Sequence, residues 1–316
     1  MADPDEARLR EIGDQHGVPH RYRTAEEMLA KEKLDVVSVC TPNKFHAPLT
    51  IAALKAGAHV LCEKPMAMNT AEAQQMLAAS REAGKRIMIN FSYRFDPKAR
   101  ALKSQVDSGA LGEIYFARSA WHRRRGLPGF GGWFGQKELA GGGPLIDLGV
   151  HRIDLALWLM GYPKPVWVLA STYNPIGTRL AKEQGKKFDV EDMAVGLVKF
   201  ANGTTLAVEA SWAANIAEQE LMETRLFGTK GGGVHRNLRE GYEFESEIFV
   251  ERDGYHYDMK LHHPPGPPLN NQFHHFVESI VTDTPHIATG EDGLIVMELL
   301  DAIYASAASG KPIEIR

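Results

Sequence analysis

The sequence predicts an α/β protein of two domains: a parallel-sheet domain over residues 1–112, then an α+β domain over 113–316 with a mainly antiparallel open sheet. Up to about residue 112, apolar runs alternate with helical patterns, the grammar of βαβ units and their right-handed crossovers. Beyond that point strand-like runs follow one another with few helices between them, as antiparallel sheets do. The length, 316 residues, also exceeds the roughly 250–300 at which single cores stop growing.

Each element has a local reason. Asp35 to Cys40 is β-branched and bounded by Thr41-Pro42-Asn43, so it reads as a buried strand ending in a turn. His46 to Ala56 is helical and stops at Gly57. His59 to Cys62 is a second strand, ending at Glu63-Lys64-Pro65. Thr70 caps a helix through Ala83 that stops at Gly84, and Arg86 to Asn90 is a third strand. The second domain reads as strands at Ile114–Trp121, Val166–Ser171, Val190–Phe200, Thr204–Ser211 and Leu221–Phe227. Asn202-Gly203 marks a hairpin, and Lys230 to Gly233 is read as another turn. Helices are expected at about 144–160, 271–281 and 291–309.

Composition excludes several function classes. A formal charge of −4 leaves no electrostatic footprint for nucleic acid. No apolar run approaches the roughly 18 residues of a membrane span. The acidic start, Met1 to Glu6, is no signal peptide, and two cysteines build no disulfide framework, so a cytoplasmic setting is expected. Cys40 and Cys62 end two strands and read as buried small hydrophobes.

Ligands of open parallel sheets bind beyond the carboxyl ends of the strands. Three such ends carry polar groups: Thr41-Pro42-Asn43, Glu63-Lys64-Pro65, and Asn90 with Tyr93-Arg94 just beyond. Lys64, at the mouth of an apolar strand, is a candidate for proton transfer, or else an exposed lysine at a strand end. Between Gly141 and Asp154, helical spacing puts Asp147, His151 and Asp154 on one face of an otherwise apolar helix. Such a stripe is costly unless paired or functional, and a carboxylate one turn from a histidine suits general-base work. A solvated helix face is the bland reading; a metal site is not expected, because no third ligand stands at a recognisable spacing.

Taken in order, Val39-Cys40-Thr41-Pro42-Asn43 with His46, Glu63-Lys64-Pro65, Tyr93 to Pro97, and Gly142 to Asp154 resemble the Gfo/Idh/MocA family of nicotinamide-dependent oxidoreductases. Phe227 to Gly231 and Glu291 to Leu294 add to the likeness, which covers nearly the whole chain. The resemblance implies a Rossmann-like first domain and a dehydrogenase acting on a sugar, cyclitol or related polyol. It implies that Lys64 contacts the reacting oxygen and that, of the pair Asp147 and His151, His151 takes the hydroxyl proton while hydride leaves for NAD. Thr41, Pro42, Asn43 and Glu63 inherit the family's cofactor-binding role, and His46 lies close enough to join them. Arg94 and Trp133 are candidate substrate contacts, and the open sheet suggests a homo-oligomer. Two other readings share the fold: an enzyme that uses NAD transiently to cleave glycosidic bonds, and a non-enzymatic sugar or nucleotide sensor.

The start departs from the family pattern. The strand, glycine-rich turn and helix that hold the pyrophosphate are not in these residues. Met1 to Asp5 resembles the very end of the second strand, so a late start or a fragment is expected, with Met1 an internal methionine. Asp3 then stands where a carboxylate hydrogen-bonds the ribose, which favours NAD over NADP. Of the remaining features, His122 to Arg125 is read as a solvated loop. His262-His263 and His274-His275 are read as a proline-rich loop leading into a helix, since adjacent histidines on a helix diverge by about 100°.

Overall fold

The computed structural model describes residues 1–262 and 271–315. His263 and the proline-rich run 264–268 lie outside the described residues. The chain opens with Ala2 bridged in parallel to Tyr22, around helix α1 (Glu6–Gln15), whose N-cap Asp5 accepts from the Ala7 and Arg8 amides. Helix α2 (Ala25–Lys31) is capped by Thr24. Strands β1 (Val36–Val39), β2 (His59–Cys62) and β3 (Ile87–Ile89) then form a parallel sheet in that order. Helix α3 (His46–Lys55) connects the first two strands and α4 (Thr70–Ala83) the next two, as expected. Short strands rich in Val and Ile, joined by helices that end at Gly57 and Gly84, leave all three carboxyl ends at one edge.

Helix α5 (Pro97–Asp107), which begins at the N-cap Asp96, leads to the second sheet. Its strands are β4 (Ile114–Arg123), β5 (Pro165–Tyr173), β6 (Met193–Phe200), β7 (Thr205–Ser211), β8 (Glu220–Gly228), β9 (Gly231–Leu238), β10 (Glu243–Arg252), β11 (Tyr255–Lys260) and β12 (Ile313–Glu314). They lie in the order β11-β10-β9-β8-β4-β7-β6-β5-β12, antiparallel throughout except for the parallel pair β4–β7. Between β4 and β7 run α6 (Lys137–Ala140), α7 (Val150–Met160) and α8 (Pro175–Glu183). Helices α9 (Gln272–Val281) and α10 (Gly290–Ser309) follow the sheet.

One sheet face carries α5, α7 and α10. Leu148, Val150, Ile153, Leu157 and Leu159 are buried there. The opposite face leaves Val166, Leu169, Tyr173 and Leu197 exposed. Helix α10 packs on α4 and β3 as well as on β5, and the Ile89 amide donates to Ala288 O just ahead of it, so the carboxyl-terminal helix holds the two sheets together. No helix among the described residues is long and apolar enough to cross a membrane.

Several expectations are corrected. Residues Gly231 to Gly233 are not a turn but the start of β9, and a Cβ at Gly233 would stand 2.7 Å from Leu102 of α5, so the glycines serve close packing. The strand expected from Val190 begins at Met193, because Glu191 and Asp192 turn their carboxylates onto backbone amides of residues 143, 145, 176 and 177. Cys62 is buried, its thiol pushed up to about 12 by desolvation, but Cys40 is exposed, because strand alternation puts it with Ser38 on an uncovered face of β1.

Arg94, offered above as a substrate contact, is 1% exposed and holds three elements together. Its Nε and Nη2 reach the Asp154 carboxylate at 3.1 and 2.5 Å, and Nη1 reaches Asp292 at 2.7 Å. Tyr162 OH also lies against Nη2. Every nitrogen is committed inside the protein, so Arg94 does not face a ligand, and Asp154 does not share the face of Asp147 and His151. Leaving one partner of a buried pair uncompensated costs about 3–5 kcal/mol. Asp154→Ala should therefore lower unfolding stability in urea by that order; a loss under about 1 kcal/mol would contradict the clamp.

Candidate active site

The carboxyl end of β2 meets α7 across the domain boundary. There the Lys64 ammonium donates to Asp147 Oδ1 at 2.8 Å and to Asp147 O at 2.9 Å. Both side chains are about one-sixth exposed, at 17% and 16%. The Lys64–Pro65 peptide is cis. Asp147 sits in a π-helical turn, Leu145–Gly149, that opens α7; such turns recur at functional sites. Gly143 explains how the turn is anchored: a Cβ there would stand 2.0 Å from Glu191 O. Glu191 accepts from the Gly143 and Leu145 amides at 2.9 and 3.1 Å, and from Tyr304 OH at 2.9 Å.

The second Asp147 oxygen accepts from Trp212 Nε1 at 3.0 Å. Its carboxylate is thus shared between a lysine and an indole, and it does not hold His151. That corrects the expected aspartate–histidine pair. The Nδ1 of His151 is buried with no hydrogen-bond partner among the described residues. The ring lies edge-on to Tyr93 at 5.2 Å and tilted against Trp121 at 5.7 Å. Desolvation pushes the imidazole well below its ordinary pKa, and the nearby charges of Lys64, Arg152 and Arg123 push the same way. The imidazole is therefore neutral near pH 7, ready to accept a proton. It lines a cleft of about 660 Å³ with Tyr93, Trp121, Tyr242, Phe244 and Asn271.

The other sequence candidates surround Lys64 in different ways. The buried His46 ring bridges the first two strand ends, its Nε2 2.8 Å from Thr41 O and its Nδ1 2.7 Å from Pro65 O. Asn43 is buried and donates to Ala140 O at 2.8 Å, tying the first turn to α6. Both side chains are committed to the protein, so they shape the edge and present backbone. Pro42 precedes the one-turn 3-10 helix Asn43–Phe45. Glu63 Oε1 accepts from Asn90 Nδ2 at 2.5 Å. Thr41 Oγ1 and Asn90 Oδ1 are buried without partners among the described residues. Orphaned polar atoms at the carboxyl ends of parallel strands are what a polar ligand would satisfy, so this edge fits a nicotinamide nucleotide. Asp3 lies apart, its Oδ1 accepting from the Asp5 amide at 2.8 Å.

Trp133 stacks on Phe134 at 3.8 Å, and Phe134 approaches Trp212, so Trp133 lies beyond the indole that holds Asp147. His122 and Arg123 belong to β4 rather than to a solvated loop. Arg123 donates to Glu220 at 2.7 Å, Arg124 to Ala217 O and Arg125 to Asn215, so no open basic patch remains. His275 accepts from the Ile287 amide while His274 is exposed, and no metal-binding group of side chains stands among the described residues. Sequence reasoning missed Trp212, Trp121 and Phe244. The two tryptophans sit at or near strand ends, where aromatic residues facing a cleft leave no periodic trace.

Two family profiles match the chain. One, described as an oxidoreductase family with an NAD-binding Rossmann fold, covers residues 1–91. The other, the C-terminal alpha/beta domain of the same family, covers 103–315. The D-glucoside 3-dehydrogenase of Escherichia coli (strain K12) is 34% identical over 321 residues, spanning 100% of this chain and 89% of that protein. The myo-inositol 2-dehydrogenase of Thermotoga maritima is 27% identical over 328 residues, spanning 100% and 90%. Among solved structures, levoglucosan dehydrogenase in complex with NADH superposes with a TM-score of 0.87 at 26% identity, over 100% of this chain and 89% of that one. Both domains and their order agree: the chain belongs to the Gfo/Idh/MocA family of oxidoreductases and carries its NAD-binding fold.

Proposed function

We propose that the protein moves a hydride between NAD and a secondary alcohol of a sugar, cyclitol or related polyol, with Lys64, Asp147 and His151 at the reacting centre. The observation that carries this reading is the contact of Lys64 with Asp147 across the domain boundary, one helical turn from an imidazole kept neutral. The curated relatives named for a glucoside and for myo-inositol support the substrate class. The aromatic lining of the cleft suits the apolar faces of a sugar ring.

Thr41, Pro42, Asn43 and Glu63, with His46 bracing the turn, would hold the nicotinamide end, and Asp3 the adenosine ribose. When bound, NAD supplies the hydride acceptor, and its ring loses its positive charge on taking the hydride. Two Lys64 N–H bonds are spent on Asp147, which leaves the third to polarise the reacting oxygen. His151 takes the hydroxyl proton. Asp147 orients Lys64, and Trp212 fixes Asp147. Trp133 is kept as a substrate contact on the indole side. The exposed Val166, Leu169 and Leu197 suit a homo-oligomer paired through this sheet. The free cysteines fit a cytoplasmic setting.

A screen of neutral glycosides, anhydrosugars and inositols, followed by NADH absorbance, should find a substrate that yields NADH in step with ketone. Lys64→Met and His151→Ala should each lower kcat by about 10²–10⁴-fold without unfolding the chain. Release of an aglycone with no NADH would instead indicate transient redox. Losses under tenfold in both variants would sink the assignment.

A further inference from the structure

Arg152 follows the proposed base in sequence and is 0% exposed. Its Nε, Nη1 and Nη2 all lack a hydrogen-bond partner among the described residues. Its guanidinium lies 4.4 Å from the ring centre of Tyr93, 5.2 Å from that of Trp121 and 6.0 Å from that of Phe244. A guanidinium stays protonated in proteins, so this is a full charge with no carboxylate or carbonyl bonded to it; Tyr93 is its principal polar neighbour, and Asp96 and Glu220 reach it only by their charge. Aromatic faces offset only part of the cost of desolvation. Arg94, the other fully buried arginine of comparable size, has every nitrogen bonded. A cation left this way costs stability, and such costs concentrate at functional sites.

The same two rings that cover Arg152 also touch the imidazole: Tyr93 and Trp121 each contact both residues. The remaining charged and titratable groups around His151 and Arg152 come from several elements. Lys64 stands at the end of β2, Asp147 on the turn before α7, Tyr93 and Asp96 beyond β3, and Arg123 on β4. Glu220 lies on β8, His235 on β9 and Tyr242 before β10. Each carboxylate among them is hydrogen-bonded to other groups, Asp96 and Glu220 touching Arg152 only through their charge. Asp147 serves Lys64 and Trp212. Asp96 caps α5 and faces His235 at 3.5 Å. Glu220 accepts from Trp121, Arg123 and Tyr242.

We propose that Arg152 is a positioning residue for the base: its guanidinium, caged by Tyr93, Trp121 and Phe244, acts through these rings to keep His151 unprotonated at working pH. This rests on the reading of His151 as the base. No proton passes through Arg152. Its charge disfavours imidazolium before substrate binds, so the base is available at lower pH than burial alone allows. The same charge opposes imidazolium when the base takes the proton, so availability of the neutral ring at low pH comes at some cost to proton transfer itself.

The sign is definite. Removing a cation near an imidazole raises the imidazole pKa, so the acid limb of activity moves to higher pH. The test follows the His151 imidazole by NMR in the full chain with ¹³C-labelled histidine, its signal identified by its loss in His151→Gln. No substrate is needed, so a failure of the dehydrogenase reading would not be mistaken for a failure of this one. Arg152→Met should raise the imidazole pKa by half a unit or more, about a threefold change in the ratio of protonated to neutral ring. Arg152→Lys should stay nearer the wild-type value. Arg152→Met should also melt no lower than wild type, since a buried charge with no carboxylate bonded to it is replaced by an apolar chain of similar length. An unmoved imidazole in Arg152→Met, or Arg152→Lys shifting as far as Arg152→Met, overturns the proposal. If Arg152→Met does not fold, Arg152→Gln takes its place in the titration with the same two outcomes.

Discussion

The Lys64–Asp147 contact is the constraint on which the site depends. Lys64 belongs to the end of a parallel strand and Asp147 to a helix packed on a different sheet, 83 residues further along the chain. The contact forms only if the two sheets sit at one relative position. Arg94 joins the segment beyond β3 to α7 and α10, and α10 packs against both sheets. The π-helical turn then presents an aspartate both of whose oxygens are used, one toward Lys64 and one toward Trp212. A lysine held by two oxygens of one residue keeps a third N–H in a fixed direction, which a mobile surface lysine does not.

This arrangement separates two jobs that aspartate–histidine spacing alone would merge. The carboxylate serves the lysine, and the histidine is left among aromatic rings and cations with no anion of its own. Its environment favours the neutral ring, the form a base needs before turnover. His151 is thus flanked by cations and held by no carboxylate.

Much of the fold was legible in the sequence. The strand ends at Thr41, Glu63 and Asn90 were readable because β-branched runs bounded by turn residues are a local pattern, and open parallel sheets place ligands at those ends. Lys64, Asp147 and His151 stood out for the same reason: polar groups in apolar surroundings. What could not be read was tertiary. Helical spacing placed Asp154 on the face of Asp147, but the π turn and the pull of Arg94 separate them. Arg94 looked like a pocket residue because it follows a strand end, and only its partners 60 and 198 residues away reveal a clamp. The glycines of 231–233 looked like a turn because their role, letting α5 lie close to β9, depends on a residue far off in the chain.

In the proposed site Asp147 acts through Lys64. A double-mutant cycle on kcat/KM with Lys64→Met, Asp147→Asn and the double variant measures this directly. If Asp147 serves chiefly to hold the lysine, the double variant should be no worse than Lys64→Met by more than about threefold. Losses that multiply across the two sites would mean that Asp147 acts independently of Lys64, and would contradict the account.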